Sequence, residues 1–170
     1  MSWPRPTQYS KLFMHTTNQI EIQADLKRIF ELASRVEDWG RILPHYRYVK
    51  VLHREANRKW VRMSAWRGAI PVTWTAVQTV EPGGDGKPGR IRFYHIGGLV
   101  RGMDVEWWFV LRQDRGGVLV GITHDLARPP FPTRLLGSKL VEAIVGGGFV
   151  GYIANKTLKQ IKLLAEQKCL

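Results

Sequence analysis

Five histidines and a spread of arginines are the side chains here that carry chemistry at neutral pH, and two of the histidines sit where chemistry could use them. His95 closes an alternating run in which Ile91 and Phe93 point the same way, and His124 shares a face with Val118, Val120, Ile122 and Leu126. An imidazole titrates near neutrality, so either one placed beside a bound carbonyl could serve as acid or base. The plainer alternative is a histidine hydrogen-bonded inside an ordinary core. Arg62 is a third candidate. Its run alternates Trp60, Arg62, Ser64 and Trp66 with Val61, Met63 and Ala65, and either set could face inward. If the first set does, Arg62 is a buried cation that needs an anionic partner. Ser64 and Ser138 lie in no nucleophile motif, so no catalytic triad is indicated.

Metal and phosphate chemistry find no support in the spacing. His15, His45, His53, His95 and His124 form neither HxH nor HExxH, and Cys169 is the only cysteine, so no metal site and no cofactor are expected. The glycines between Gly83 and Gly89 lack a following Lys-Ser/Thr and read as a turn. A lone cysteine forms no internal disulfide and suits a reducing compartment.

Around the histidines lie many rings. Trp66, Trp74, Phe93, Trp107, Phe109 and Phe149, together with His95 and His124, are the expected lining of a ligand site. Aromatic walls suit a planar apolar guest, and they suit a plain core equally. Met103, Val105, Trp107, Phe109 and Leu111 form one apolar face against Asp104, Glu106 and Arg112, and Val72, Trp74 and Ala76 form another inward set.

These faces belong to strands. After an irregular arm over residues 1–15, the run from Thr16 to Ala24 alternates as a half-buried strand does. Asp25 is a helix N-cap for Leu26, Ile29, Phe30 and Ala33, and a second short helix covers Val36 to Leu43 until Pro44 stops it. Six further strands follow, His45–Arg54, Lys59–Arg67, Ile70–Val80, Arg90–Ile96, Met103–Gln113 and Val118–Leu126. Short turns join them, which makes them antiparallel neighbours. Past the prolines at 129, 130 and 132, apolar residues recur every three or four positions from Arg134 to Gln167. That is a long helix, with Gly146-Gly147-Gly148 as a kink or a point of close approach. The expected fold is α+β. A curved antiparallel sheet of about seven strands wraps the C-terminal helix, with two short helices between strands 1 and 2, in one domain over residues 16–170.

Composition bounds the partners. The 170 residues are 44% hydrophobic with a formal net charge of +12, an ordinary globular chain with an affinity for anionic surfaces. No apolar run reaches the roughly 20 residues of a membrane span, and the first 18 residues lack a secretory apolar core. A cytoplasmic protein, peripheral to membrane at most, is expected.

The order of elements, with Ile20-Glu21-Ile22-Gln23-Ala24-Asp25, Ile29-Phe30-Glu31-Leu32 and Val36 through Pro44 running into Val49-Lys50-Val51-Leu52, resembles the START-like superfamily. This is the helix-grip or Bet v 1-like fold, and the likeness is to its polyketide cyclase/dehydrase and lipid-transport branch, which includes coenzyme Q-binding proteins. Asp38, Trp39 and Pro44 match an acid, tryptophan and proline of that pattern, while Gly40 and the glycine run depart from it. The resemblance implies a cavity between sheet and helix that carries a lipid, isoprenoid quinone or polyketide, entered near the loops after Gly68 and Gly97. A cyclase or dehydratase using His95, His124 or Arg62 is the alternative, and a ribosome- or RNA-associated protein using its basic surface is a second. Monomer and homodimer both remain open.

Overall fold

Seven alternating runs pair into one curved antiparallel sheet of order β1-β7-β6-β5-β4-β3-β2. The computed structural model describes residues 14–84, 87–112, 114, 116–128 and 148–167. Its elements are β1 (Met14–Ile22), α1 (Leu26–Ser34), a 3-10 turn (Val36–Asp38), α2 (Trp39–Ile42), β2 (Tyr46–Glu55), β3 (Arg58–Arg67), β4 (Ile70–Glu81), β5 (Arg90–Gly98), β6 (Met103–Leu111), β7 (Val118–Leu126) and α3 (Gly151–Glu166). Strands β2 to β7 form a meander, and β1 closes onto β7 with Ile22 opposite Val118. This is the α+β helix-grip architecture.

Helix α1 begins where Asp25 accepts hydrogen bonds from the backbone N–H of Lys27 (2.8 Å) and Arg28 (3.4 Å), supplying the acceptor that first-turn amides lack. It buries Ile29 and Ala33. Helix α3 buries Ile153, Ala154, Leu158, Ile161 and Ala165, the face predicted from the three- and four-residue steps. Polar ties hold its far end. Lys162 Nζ donates to the Glu21 carbonyl at 2.7 Å, and Glu166 Oε1 accepts from the Gln23 N–H at 2.7 Å.

Several expectations are corrected. Met14 and His15, placed in the arm, pair with Leu126 and Asp125 as the start of β1. The second short helix is a 3-10 turn running into a single α-helical turn. In β3 the inward set is Val61, Met63 and Ala65, all buried, so Arg62 and Trp66 lie on the outer face. A charged guanidinium is costly to take out of water, and the aliphatic set fills the interior instead. Arg62 therefore does not line the interior, and Trp66 is 39% exposed. Leu111 is 49% exposed at the end of β6, beyond the covered part of the sheet. Residues Gly148–Val150 form one wide π-helical turn ahead of α3. The expected helix from Arg134 through Gly147, with the first two glycines of its run, lies outside the described residues, as do residues 1–13 and Cys169.

Candidate functional site

The inner face of the sheet and α3 enclose a cavity whose wall is built of rings. Trp39 from α2 contacts Tyr46, Phe93 and Trp107 at centroid distances of 5.5, 5.6 and 5.8 Å. Trp74 from β4 continues the chain, with Tyr46 at 6.0 Å, Phe149 edge-on at 5.8 Å and the His95 ring stacked at 6.1 Å. Val150, Ile153, Ala154 and Thr157 complete the wall from the helix side. The space open to the centre of a water-sized sphere is about 60 Å³. At roughly 10–15 Å³ per water, that holds a handful of solvent molecules.

Among the described residues, three polar atoms of this wall have no hydrogen-bond partner: Trp74 Nε1, His95 Nδ1 and His124 Nδ1. His95 and His124 occupy equivalent inward positions on β5 and β7 because strand alternation carries each beside apolar neighbours. Burial pushes both imidazoles down to about 3, and for His95 the nearby His124 adds to the effect. Both are neutral at pH 7, each with one nitrogen to donate and one to accept.

A second polar group sits where α3 meets the start of β2. His45 Nε2 and Thr157 Oγ1 lie 2.9 Å apart, and the buried Tyr46 side chain lines the cavity with the same Thr157. Burial, and secondarily Lys156, lowers His45 to about 4, while burial holds Tyr46 protonated well above its ordinary range. Among the described residues, no group of three or more His, Cys, Asp or Glu is arranged to hold a metal ion.

Of the residues predicted from sequence, the cavity brings together Trp74, Phe93, His95, Trp107, His124 and Phe149. Phe109 is buried but packs on Phe30 at 5.5 Å, away from the lining. Arg62 and Trp66 are outside. Sequence reading missed Tyr46 and Thr157. Tyr46 follows Pro44 at the very start of a strand, where alternation has no earlier residue to set its phase. Thr157 is a polar residue on the buried face of α3, a position that the apolar period passes over.

A sheet gripping one helix over an apolar, ring-lined cavity is the hydrophobic ligand-binding START-like architecture. The sequence pattern described as "Polyketide cyclase / dehydrase and lipid transport" matches residues 22–145, and the chain belongs to that family. Over 108 residues it is 32% identical to the actinorhodin polyketide synthase bifunctional cyclase/dehydratase of Streptomyces coelicolor. That match takes in 64% of this chain but only 33% of the relative, so the chain spans about a third of its length. In fold it resembles the Zhui aromatase/cyclase from a Streptomyces species, with TM-score 0.74, 18% identity, and 89% and 93% of the two chains covered. It also resembles the STAR-related lipid transfer protein of Xanthomonas axonopodis, with TM-score 0.60, 15% identity, and 94% and 90% covered. Among the described residues no helix is long and apolar enough to cross a membrane.

Proposed function

We propose that the cavity binds an apolar, ring-containing small molecule that bears hydrogen-bonding oxygens, of the polyketide, isoprenoid quinone or lipid class, and that the protein acts as its carrier or chaperone. The observation behind this reading is the trio of unpartnered polar atoms, Trp74 Nε1, His95 Nδ1 and His124 Nδ1, on a wall otherwise made of rings. Each such atom left unpaired costs about 1–3 kcal/mol, and an oxygen of a guest removes that penalty. Trp74 N–H can only donate, so it selects an oxygen acceptor. The imidazoles, held neutral, can take a hydroxyl or a carbonyl. A polycyclic guest exceeds about 60 Å³, so its entry requires the wall of Phe149, Val150 and Ile153 to move outward.

A second reading, cyclase or dehydratase, is favoured by the relatives and by the two imidazoles standing beside a ring platform. An imidazole near 3 is a weak base. It takes a proton from carbon only if the resulting imidazolium is stabilised by the enolate forming next to it. The cavity as built is better suited to holding a guest than to starting that step. The RNA-associated alternative rests on net charge alone.

Native mass spectrometry of the purified protein, followed by solvent extraction, tests the reading. The expected result is a co-purifying apolar mass whose retention drops about tenfold or more in His95→Leu and His124→Leu. An empty protein whose tryptophan fluorescence is also unmoved by quinones and polycyclic phenols overturns it. Turnover of a poly-β-carbonyl substrate that is lost in either variant, with binding intact, selects the cyclase.

A further inference from the structure

One end of the sheet carries features that neither the cavity nor the fold uses. The β3–β4 turn and the β5–β6 turn lie side by side there, as the register Arg67↔Ile70 and Trp74↔Gly98 shows. Their tips present aliphatic side chains to water: Ile70 is 66% exposed and Leu99 45%. Ile96 is bulged out of the ladder between residues paired to Thr75 and Ala76, and is exposed as well. Trp66 lies on the adjoining outer face with the Arg47 guanidinium over its ring at 4.8 Å. Cations ring these groups. Arg47, Arg67, Arg101 and Lys156 enter no ion pair among the described residues, and Lys156 lies over Tyr152 at 4.6 Å. The carboxylates nearest this end by register, Asp104 and Asp125, are engaged by Arg92 and His15.

The same end opens inward. A groove of about 550 Å³ between Pro44, Trp66, Ala69, Tyr152 and Lys156 has His45 at its floor. His45 is hydrogen-bonded to Thr157, which lines the enclosed cavity. The groove and the cavity therefore meet across this contact, with His45 lining the one and Thr157 and Tyr46 lining the other.

We propose that this end of the molecule docks on an anionic lipid bilayer, and that the groove is the route by which the guest passes between bilayer and cavity. Aliphatic tips gain by leaving water, tryptophan and tyrosine favour the headgroup level, and unpaired cations favour anionic headgroups. Nucleic acid would satisfy the cations but offers nothing to Ile70 and Leu99. A symmetric pairing with a second copy would set the two cation rings against each other. The bilayer satisfies all three kinds of side chain at once. This extends the reading of the cavity as an apolar-ligand site, and its test separates the two.

Sedimentation with vesicles of phosphatidylcholine containing about one quarter phosphatidylglycerol should carry the protein down, and pure phosphatidylcholine should not. Arg47→Gln, Arg67→Gln and Arg101→Gln should each weaken vesicle affinity about fivefold, at roughly one headgroup interaction per cation. Ile70→Ser with Leu99→Ser should abolish the part of the binding that survives high salt. Guest binding in solution, delivered from cyclodextrin and read by tryptophan fluorescence, should be unchanged in the three arginine variants and in the Ile70→Ser/Leu99→Ser double variant, which also shows that they fold. No preference for the anionic vesicles, or vesicle binding untouched by these substitutions, overturns the docking proposal while leaving the cavity reading intact. It is equally overturned if the arginine variants lose affinity for a single-stranded oligonucleotide while vesicles bind nothing, or if Ile70→Ser dissolves a dimer. Vesicle binding as expected, with no guest bound from cyclodextrin, removes the cavity reading alone.

Discussion

Gly121, in the middle of β7, has no side chain because Trp108 occupies the space one would need: a Cβ built there overlaps the indole ring. The ring lies flat across the strand on the outer face, and its Nε1 donates to Thr123 Oγ1 at 3.1 Å. Gly121→Ala must push the indole off and break that bond, so it should destabilise the fold by about 1–3 kcal/mol. The check is a double-mutant cycle in urea. With Trp108→Ala already present, the same Gly121→Ala change should be close to neutral, and equal costs in both backgrounds would show that the indole is not the obstacle. Nothing in the sequence announces this pair. A glycine inside a strand marks a close approach of some kind, but the partner is on β6 and is known only once Trp108↔Gly121 is set by the register. His95 and His124 were legible for the opposite reason: each is flanked by apolar residues at two-residue steps, and the strand period alone turns it inward.

Helix α3 is fastened to the mouth of β2 by Thr157, whose hydroxyl meets His45 Nε2 at 2.9 Å. Thr157→Val keeps the shape and removes the oxygen, leaving the buried His45 Nε2 unpaired, at about 1–3 kcal/mol in total stability. Local opening should exceed that share. Amide exchange in the first turns of α3 should accelerate relative to the β6–β7 ladder, and uniform exchange across the molecule would mean the contact fastens nothing. At this scale the sequence was informative where one face is apolar and the other charged. In β6, Asp104 and Glu106 settle the phase, and the inner set Met103, Val105, Trp107 and Phe109 follows. Strand β3 was ambiguous because both of its faces carry large apolar groups. Trp66 was expected to line the site, yet it and Trp60 lie on the outer face, Trp60 against His53 at 5.0 Å and Trp66 beneath Arg47. Rings held by partners on an edge hairpin can tolerate partial exposure, and that pairing across strands leaves no trace in the order of residues.

Three buried histidines make the stability of the whole molecule depend on pH. Burial lowers His45 to about 4, and His95 and His124 to about 3, while the same side chains titrate near 6.5 in the unfolded chain. Between those limits the unfolded chain binds more protons than the folded one, so stability rises with pH. It is complete above about pH 6.5 and is lost as the pH falls toward the folded values. Each histidine contributes a slope of up to about 1.4 kcal/mol per pH unit, so three acting together reach about 4. Against a typical stability of about 5–15 kcal/mol, that slope unfolds the domain well before the folded-state values are reached. The carboxylates act mainly at lower pH: Glu37 and Glu166, each held below an ordinary value of 4.5, add to the loss there, while Asp104, raised by burial, opposes it. The +12 charge grows as histidines ionise and pushes in the same direction as they do. The expected measurement is a urea midpoint that is flat from pH 8 to about 7 and then falls steeply to about pH 5. His124→Leu should lower the steepness by one proton's worth and raise the midpoint, since it deletes a buried nitrogen that has no partner. A midpoint that stays level down to pH 5 would mean that the imidazoles take up protons in the folded cavity as readily as in the unfolded chain. In that case they would be poised to exchange a proton near neutral pH, and the balance between carrier and cyclase would shift toward the cyclase.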